Sequence, residues 1–382
     1  MHRIAVCVIL ICVVLLLPLR PTEAQSDTTT TYAGFGYTLE MPSGWSGRSL
    51  YFGDFAMIEI TVLMPSAVPD FPDDLDEYDP FESLLHELGQ MAGEWRDELT
   101  TQPAFIVYSV HVGGEELIVD EAALVANLTD PDNTTTPGMN FDTLEPITIG
   151  TLQGMSATGT IPGAGGLKDF NFQFYGAAFT LPGRVMLLGG VAPDTLFEGQ
   201  QATFENMLQS FQLTNPAPFV FEQAAATHRF DGEIFSVQYP ADWIFQVEDE
   251  EFTYFTNAAV PAGQSMDDLN NIFNAALANG EMILALTYFD AESSEVEDLD
   301  IFSPEAMMAT LMKGTAFSAL TEYTWQGTPI LEGQLAVTEA FSITLYIMPK
   351  GDGFVMAGTF YPTAEPIDPT VVYTVLTSLK LK

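Results

Sequence analysis

Apolar and polar residues alternate along two short segments of this chain. In Tyr37-Thr38-Leu39-Glu40-Met41 and in Phe235-Ser236-Val237-Gln238-Tyr239, every second residue is apolar. Period-two alternation predicts a strand with one buried face. Each segment is followed by a proline, Pro42 or Pro240, and a tryptophan stands three residues after that proline. The repeated pattern indicates that one domain occurs twice in the chain.

Hydrophobic spacing predicts further elements in each half. Strand-like runs are predicted over 49–64, 104–112, 117–128, 148–160, 170–181, 185–190, 281–289, 321–325, 330–338, 341–348 and 354–361. Helices are predicted over 79–95, 195–208, 266–277 and 303–312, with a last helix or turn-rich segment over 368–378. The run over 117–128 is either a strand or partly helical. At 382 residues, the chain is long enough for two domains, each with its own core.

The N-terminal segment predicts an export signal over 1–24. His2 and Arg3 precede an apolar run over 4–17, and small residues near Ala24 favour cleavage before Gln25. The run is shorter than the roughly 20 residues of a membrane-spanning helix, so an uncleaved anchor is the alternative. The expected location is therefore outside the cytoplasm, extracellular or on the cell surface.

The remaining boundaries follow from composition. A polar, threonine-rich leader over 25–31 is expected to be flexible, and the first domain is predicted over 32–213. Two prolines in 214–218 favour an extended linker, which places the second domain at 219–382. The ends of the halves also correspond, because Ser210-Phe211-Gln212-Leu213 matches Ser378-Leu379-Lys380-Leu381.

The order of elements resembles that of the PsbP-like family: a strand, the Pro-x-x-Trp pattern, a helix, antiparallel strands around Gln153-Gly154 or Gln326-Gly327, and a final helix. This family includes an extrinsic subunit of the photosynthetic oxygen-evolving complex. The resemblance implies an α+β fold with two tandem α/β-sandwich domains, each a mostly antiparallel sheet with helices packed on it. It also implies binding or assembly rather than catalysis. No motif matches the contact residues of the photosynthetic subunit, so no functional residue is carried over.

Charge and cysteine content exclude several classes of function. The formal net charge of −41 repels nucleic-acid phosphates and anionic lipid surfaces, which leaves an unknown protein or small ligand as the expected partner. Both cysteines, Cys7 and Cys12, lie in the signal segment. Disulfides, zinc thiolates and cysteine nucleophiles are therefore excluded from the mature chain.

Candidate catalytic groups are few. His86 is followed by Glu-Leu-Gly-Gln, so Gln90 stands where a zinc-protease motif needs its second histidine. His111 lies between two valines in a predicted strand, which favours an ordinary strand residue over a general base. No catalytic residue is therefore predicted, and no cofactor is expected. A carboxylate-dependent extracellular hydrolase is the alternative, because acidic residues are abundant.

Calcium is the metal that the acidic loops would suit. Asp130, Asp132 and Asn133 are the candidate ligands, since hard oxygen donors favour this ion. Their spacing lacks the glycine and distant glutamate of a calcium loop, so a solvated acidic loop competes with this interpretation. The leading expectation is a secreted or surface-attached, non-enzymatic binding or assembly protein. A calcium-dependent scaffold is a further alternative.

Overall fold

The computed structural model describes part of the chain, and all structural statements refer to that part. The described residues are 29–52, 57–68, 100–111, 140–162, 171–181, 183–215, 217–218, 227–247, 252–257, 276, 279, 281–290, 317–336, 341–351, 353–363 and 369–382. They form two compact units, one ending at Asn215 and the other beginning at Pro216.

Strands dominate both units. The first contains β1 (Thr29–Gly34), β2 (Tyr37–Pro42), β3 (Ser46–Phe52), β4 (Met57–Met64), β5 (Ala104–His111), β6 (Asn140–Ile149), β7 (Leu152–Pro162), β8 (Asn171–Leu181), β9 (Arg184–Pro193), helix α1 (Asp194–Gln209) and β10 (Gln212–Leu213). The second contains β11 (Ala217–Pro218), β12 (Thr227–Asp231), β13 (Phe235–Pro240), β14 (Ile244–Val247), β15 (Phe252–Thr256), β16 (Ile283–Asp290), β17 (Ala319–Trp325), β18 (Thr328–Ala336), β19 (Phe341–Lys350), β20 (Gly353–Pro362), helix α2 (Pro369–Ser378) and β21 (Lys380–Leu381).

The two units repeat one sheet topology. A small sheet has the order β1-β2-β10 in the first and β12-β13-β21 in the second. The large sheet has the order β3-β4-β5-β9-β8-β7-β6 in the first and β14-β15-β16-β20-β19-β18-β17 in the second, where β11 adds an eighth strand. Neighbouring strands are antiparallel except β11 and β17, which are parallel. Each strand of the first unit therefore has a counterpart in the second.

The predicted fold class was wrong. Strands account for 69% of the described residues and only two helices are described among them, so the fold is β-rich, with four sheets, rather than an α+β sandwich. The helices predicted over 79–95 and 303–312 lie outside the described residues. Of the helix predicted over 266–277, only Ala276 is described, and it is helical and buried. Long Ile-, Val-, Thr- and aromatic-rich runs form the sheets, as their β-propensity favours.

The opening of each half is built in the same way. The alternating residues of β2 and β13 place one face in the core, and Tyr37 and Phe235 are both almost fully buried. At the proline that ends each strand, the backbone N–H of the following tryptophan donates to the proline carbonyl oxygen over 3.1 Å in both halves. Trp45 and Trp243 are each 7% exposed, and each belongs to the hydrophobic core of its own half.

The end of each half is also built in the same way. Ser210 ends α1, and its Oγ accepts a hydrogen bond from the Glu40 N–H over 2.8 Å. Ser378 ends α2 and accepts from the Gln238 N–H over 2.7 Å. Each serine thus ties the final helix to the first alternating strand. The repeat extends from the sequence to individual hydrogen bonds.

Two details of the sequence-based prediction need correction. The β17–β18 hairpin turns at Gln326-Gly327, both with positive φ, as expected for a tight hairpin turn. In the first half the equivalent turn lies at Gly150, whereas Gln153-Gly154 lies inside β7. The predicted leader over 25–31 overlaps β1, because Thr29, Thr30 and Thr31 pair with β2.

Each large sheet packs against a helix to form a separate core. α1 buries Phe197, Phe204, Met207 and Leu208 against β8 and β9. α2 buries Val372, Val375 and Leu376 against β13 and β20. Helix spacing of three and four residues gives each helix this single apolar face. Within the described residues, no helix combines the length and apolar character needed to cross a membrane.

Candidate functional site

The most exposed apolar surface in the second half lies on β14. Ile244, Phe245 and Val247 expose 40%, 42% and 41% of their surface, although large apolar side chains are usually buried. In the described part of the chain, β14 is the last strand of its sheet, paired with β15 on one side. We call these three residues the β14 surface. Exposed apolar residues grouped on one edge strand favour an interaction site.

An aromatic cluster holds the β14 surface in place. The Phe245 ring lies 5.0 Å from Phe230 and 5.9 Å from Tyr239, both in edge-to-face geometry. Phe255 lies below, at 5.9 Å from Phe230 and 5.2 Å from Tyr239. Such ring pairs add to the stability that burial provides. Phe245 is therefore a rigid, half-exposed aromatic side chain.

Among the described residues of the first half, the corresponding strand has no such surface. By sheet order β3 is the counterpart of β14, and it begins Ser46-Gly47-Arg48-Ser49. A side chain at Gly47 would meet the Tyr32 ring at 2.4 Å, so Tyr32 occupies the space above this strand. The apolar edge is thus a property of the second copy, outside the repeated frame.

The first half carries a different feature, a buried ion pair. Arg184 Nη2 lies 3.3 Å from Glu59 Oε2, and the Glu59 side chain is fully buried. The same nitrogen donates to the Phe35 carbonyl over 2.9 Å. Glu59 Oε1 accepts from the Phe35 N–H and from the Thr61 hydroxyl. Burial raises the pKa of Glu59 above its usual 4.5, and the nearby charge of Arg184 opposes that rise.

A serine and a histidine extend this network. Arg184 Nε donates to Ser109 Oγ over 2.7 Å, and Ser109 Oγ lies 3.1 Å from His111 Nε2. The serine hydroxyl can donate to this nitrogen or accept from it, depending on the tautomer of His111. Burial, with a smaller contribution from the Arg184 charge, lowers the pKa of His111 well below 6.5. Ser109 is 0% exposed, so no substrate reaches this pair, which is a structural network rather than a nucleophile and base.

The register shows why no such pair is found among the described residues of the second half. Met186 lies opposite Ser109 on β5, and the equivalent Val355 lies opposite Tyr288 on β16. Gly353 then begins β20 where Arg184 begins β9. A Cβ at Gly353 would meet the Tyr288 hydroxyl at 2.8 Å. A large tyrosine and a glycine therefore replace the small serine and the arginine.

The structure tests few of the residues singled out from the sequence. Asp130, Asp132, Asn133 and His86 lie outside the described residues. In the part that is described, no group of three or more His, Cys, Asp or Glu side chains is placed to hold a metal ion. His228 is exposed, with its ring 5.9 Å from Tyr239, at the margin of the aromatic cluster. Sequence reasoning missed the Glu59–Arg184 pair and the β14 surface.

Comparisons with known proteins leave the family open. No family model matches the chain. No curated protein matches it either. Among solved structures, it is similar to a protein of unknown function, PA94 from Pseudomonas aeruginosa, with 11% identity over 50% of this chain and 100% of that one, at a TM-score of 0.28.

Two further structures show similarity of the same size. Cyanobacterial PsbP from Synechocystis sp. PCC 6803 is 10% identical over 51% of this chain and 97% of its own, at a TM-score of 0.28. LpqN, involved in cell envelope biogenesis of Mycobacterium tuberculosis, is 12% identical over 50% and 93%, at a TM-score of 0.27. Similarities at these TM-scores assign neither a fold family nor a function.

Proposed function

We propose that this chain is an exported, non-enzymatic binding or assembly protein whose second half docks a partner protein on the β14 surface. The exposure of Ile244, Phe245 and Val247 on one short strand carries this proposal. Export rests on the N-terminal signal pattern, and a PsbP-like relationship rests on the shared order of elements. Neither the hydrolase nor the calcium-dependent scaffold is favoured by a specific observation.

The side chains of the β14 surface suit an extended partner segment. Successive side chains of a strand point to opposite faces, so Phe245 and Val247 share one face and Ile244 lies on the other. An aromatic anchor flanked by aliphatic residues is typical of the energetic centre of an interface. An extended segment with apolar residues at alternate positions matches that arrangement.

Charge indicates what else the partner carries. The chain has a formal net charge of −41, and the four residues that follow Val247 in the sequence are Glu248, Asp249, Glu250 and Glu251. Complementary charge raises association rates and excludes like-charged partners. We therefore expect a segment that combines apolar and basic residues.

A defined peptide tests this proposal. A short synthetic peptide that alternates valine and lysine should bind the purified protein in isothermal titration calorimetry. Phe245→Ser should weaken binding about tenfold or more, because full burial of an apolar side chain contributes about 1.5–3 kcal/mol. Val247→Ser, on the same face of the strand, should act in the same direction without removing an aromatic contact. A peptide with glutamate in place of lysine should not bind.

Leu213→Ser is the matched control, because Leu213 is a 42% exposed leucine on β10 of the first half. It should leave the affinity unchanged. Equal binding to the wild-type protein, Phe245→Ser and Val247→Ser would show that the peptide is attracted by charge alone, and would remove the β14 surface as the docking site.

A further inference from the structure

A second carboxylate occupies the large sheet of the second half, in surroundings unlike those of Glu59. Glu332 lies on β18, directly opposite Tyr346 of β19 and Thr321 of β17. Its Oε2 accepts a hydrogen bond from the Tyr373 hydroxyl of α2 over 3.4 Å. Glu332, Tyr323 and Tyr373 are half-buried, so part of the group contacts solvent. We call Glu332, Tyr323, Tyr346 and Tyr373 the tyrosine site.

The tyrosines form an aromatic wall around this acid. Tyr373 lies 6.2 Å from Tyr346 at an interplanar angle of 89°, and 6.4 Å from Tyr323 at 67°. Burial raises the pKa of each of the three tyrosines, and the charge of Glu332 raises it further. The negative charge of Glu332 therefore acts on all three rings.

No cation of the described chain balances this charge. Glu59 in the first half has Arg184 within 3.3 Å, whereas Glu332 has no such ion pair in the described residues, and its hydrogen-bond donors are Tyr373 and Tyr323. Burial raises the pKa of Glu332 above 4.5, which shows that its charge is poorly solvated. A carboxylate in such a site is either protonated or paired with a cation, and an external cation would favour its charged form.

The tyrosine site also belongs to the second copy alone. From the β6–β7 and β17–β18 turns, the register makes Ser156 the counterpart of Glu332 and Ile147 the counterpart of Tyr323. Ala177 pairs with Ser156 where Tyr346 pairs with Glu332. The first half builds the same sheet with small and apolar residues at these positions. Packing of the shared fold therefore does not require an acid with three tyrosines.

We propose that the tyrosine site binds an organic ammonium group, held by the Glu332 carboxylate and by the faces of the half-buried rings of Tyr323 and Tyr373. Aromatic faces attract ammonium and quaternary ammonium groups, and a neighbouring carboxylate adds ion pairing. The ammonium group belongs either to a small molecule or to a lysine side chain of a partner. The site lies on β17, β18, β19 and α2, so it is separate from the β14 surface.

The test compares a cation with its uncharged isostere. Choline and 3,3-dimethyl-1-butanol have nearly the same shape, and only choline carries a charge. Calorimetric or NMR titration of the purified protein should show choline binding at least tenfold more tightly. N-acetyl-lysine methylamide, titrated in parallel, shows whether a lysine side chain is preferred over a quaternary ammonium. Binding of either cation supports the site. The cation with the higher affinity shows whether the site prefers a small quaternary ammonium or a lysine side chain.

Variants assign the binding to named residues. Glu332→Gln keeps the size of the side chain and should weaken choline binding about tenfold, because it removes the charge. Tyr373→Phe keeps the ring and should change the affinity by about twofold at most, whereas Tyr373→Leu should abolish binding.

Glu205→Gln is the matched control in the first half, since Glu205 stands five residues before Ser210 as Tyr373 stands five before Ser378. Melting curves verify that each variant folds. Equal affinity for choline and its isostere, or unchanged choline binding by Glu332→Gln, would overturn the proposal. Neither result affects the proposal that the β14 surface docks a partner, because that proposal is tested with a different probe.

Discussion

The two halves of this protein place carboxylates in their sheets in opposite ways. In the first half Glu59 is fully buried and has its own cation, Arg184, with Ser109 and the Phe35 carbonyl completing the hydrogen bonds. In the second half Glu332 is half-buried and is surrounded by tyrosines. The frame is the same in both, so the difference identifies residues that the shared fold does not require.

Side-chain volume is exchanged between the halves at one place in this frame. Ser109 and Arg184 in the first half correspond to Tyr288 and Gly353 in the second. In the first half the small residue lies on β5 and the large one on β9. In the second half the large residue lies on β16 and the small one on β20. Close packing makes such paired exchange necessary, because neither a void nor an overlap is tolerated.

The largest expected effect comes from breaking the buried ion pair. Arg184→Met leaves Glu59 as an uncompensated buried charge, which should destabilise the first half by about 3–5 kcal/mol. Native-state hydrogen exchange measures each half separately, and only amides of the first half should exchange faster. The double variant Glu59→Gln/Arg184→Met should recover much of the loss. Unchanged exchange in Arg184→Met would contradict the role given to the pair.

Gly353→Ala tests the volume exchange. The added Cβ would lie 2.1 Å from the Phe289 carbonyl oxygen and 2.8 Å from the Tyr288 hydroxyl. We expect overpacking to cost the second half about 1–3 kcal/mol, measured by urea unfolding. Gly199 on α1 has nothing within 4 Å of its added Cβ, so Gly199→Ala is the control that should not destabilise. Equal stability of the two variants would mean that the backbone at Gly353 shifts freely.

The pH dependence of stability should also differ between the halves. Folded His111 stays neutral because its pKa is lowered, whereas the unfolded imidazole binds a proton below about pH 6.5. Stability of the first half should therefore fall as pH drops below 6.5, by up to about 1.4 kcal/mol per pH unit. Glu59 acts in the opposite sense, since its raised pKa lets the folded state bind a proton above pH 4.5.

His111→Gln removes one of these two contributions. Urea unfolding between pH 6.5 and 5 should show a shallower acid-side loss in this variant than in the wild-type protein, with hydrogen exchange assigning it to the first half. An identical slope would show that His111 does not control the acid response.

The smallest effects should be equal in the two halves. Ser210→Ala and Ser378→Ala each remove the acceptor for a backbone N–H of the first alternating strand. Each should destabilise its own half by about 1 kcal/mol. Thermal melting combined with hydrogen exchange measures both. A loss in only one half would show that the shared hydrogen bond does not have a shared role.

Local patterns predicted much of the frame and little of the chemistry. Tyr37, Leu39 and Met41 alternate with polar residues, so β2 could be recognised and oriented, and α1 followed from apolar residues at helical spacing. The fold class was wrong because long runs rich in Ile, Val, Thr and aromatic residues form most of the described residues into sheets, with only two helices described beside them. The turn was misplaced because the prediction followed the Gln-Gly pair, which in the first half is Gln153-Gly154. The residue with positive φ at the equivalent turn is Gly150, which has no glutamine beside it.

The two polar centres escaped prediction for different reasons. All eight residues of β4 are buried, so alternation could not show that Glu59 faces the interior, and Arg184 lies 125 positions away. An acid inside an apolar run and one of only 11 basic residues were the available signals. Glu332 meets Tyr373 only when the β17–β18 register and the final helix are both in place.

Amide hydrogen exchange of the wild-type protein with and without choline tests the central contrast most directly. If the first half neutralises its carboxylate internally and the second does not, choline should slow exchange in β17, β18 and α2 and leave β4, β5 and β9 unchanged. Protection of the strands around Glu59 and Arg184, or no protection near Glu332 and Tyr373 at saturating choline, would contradict the account.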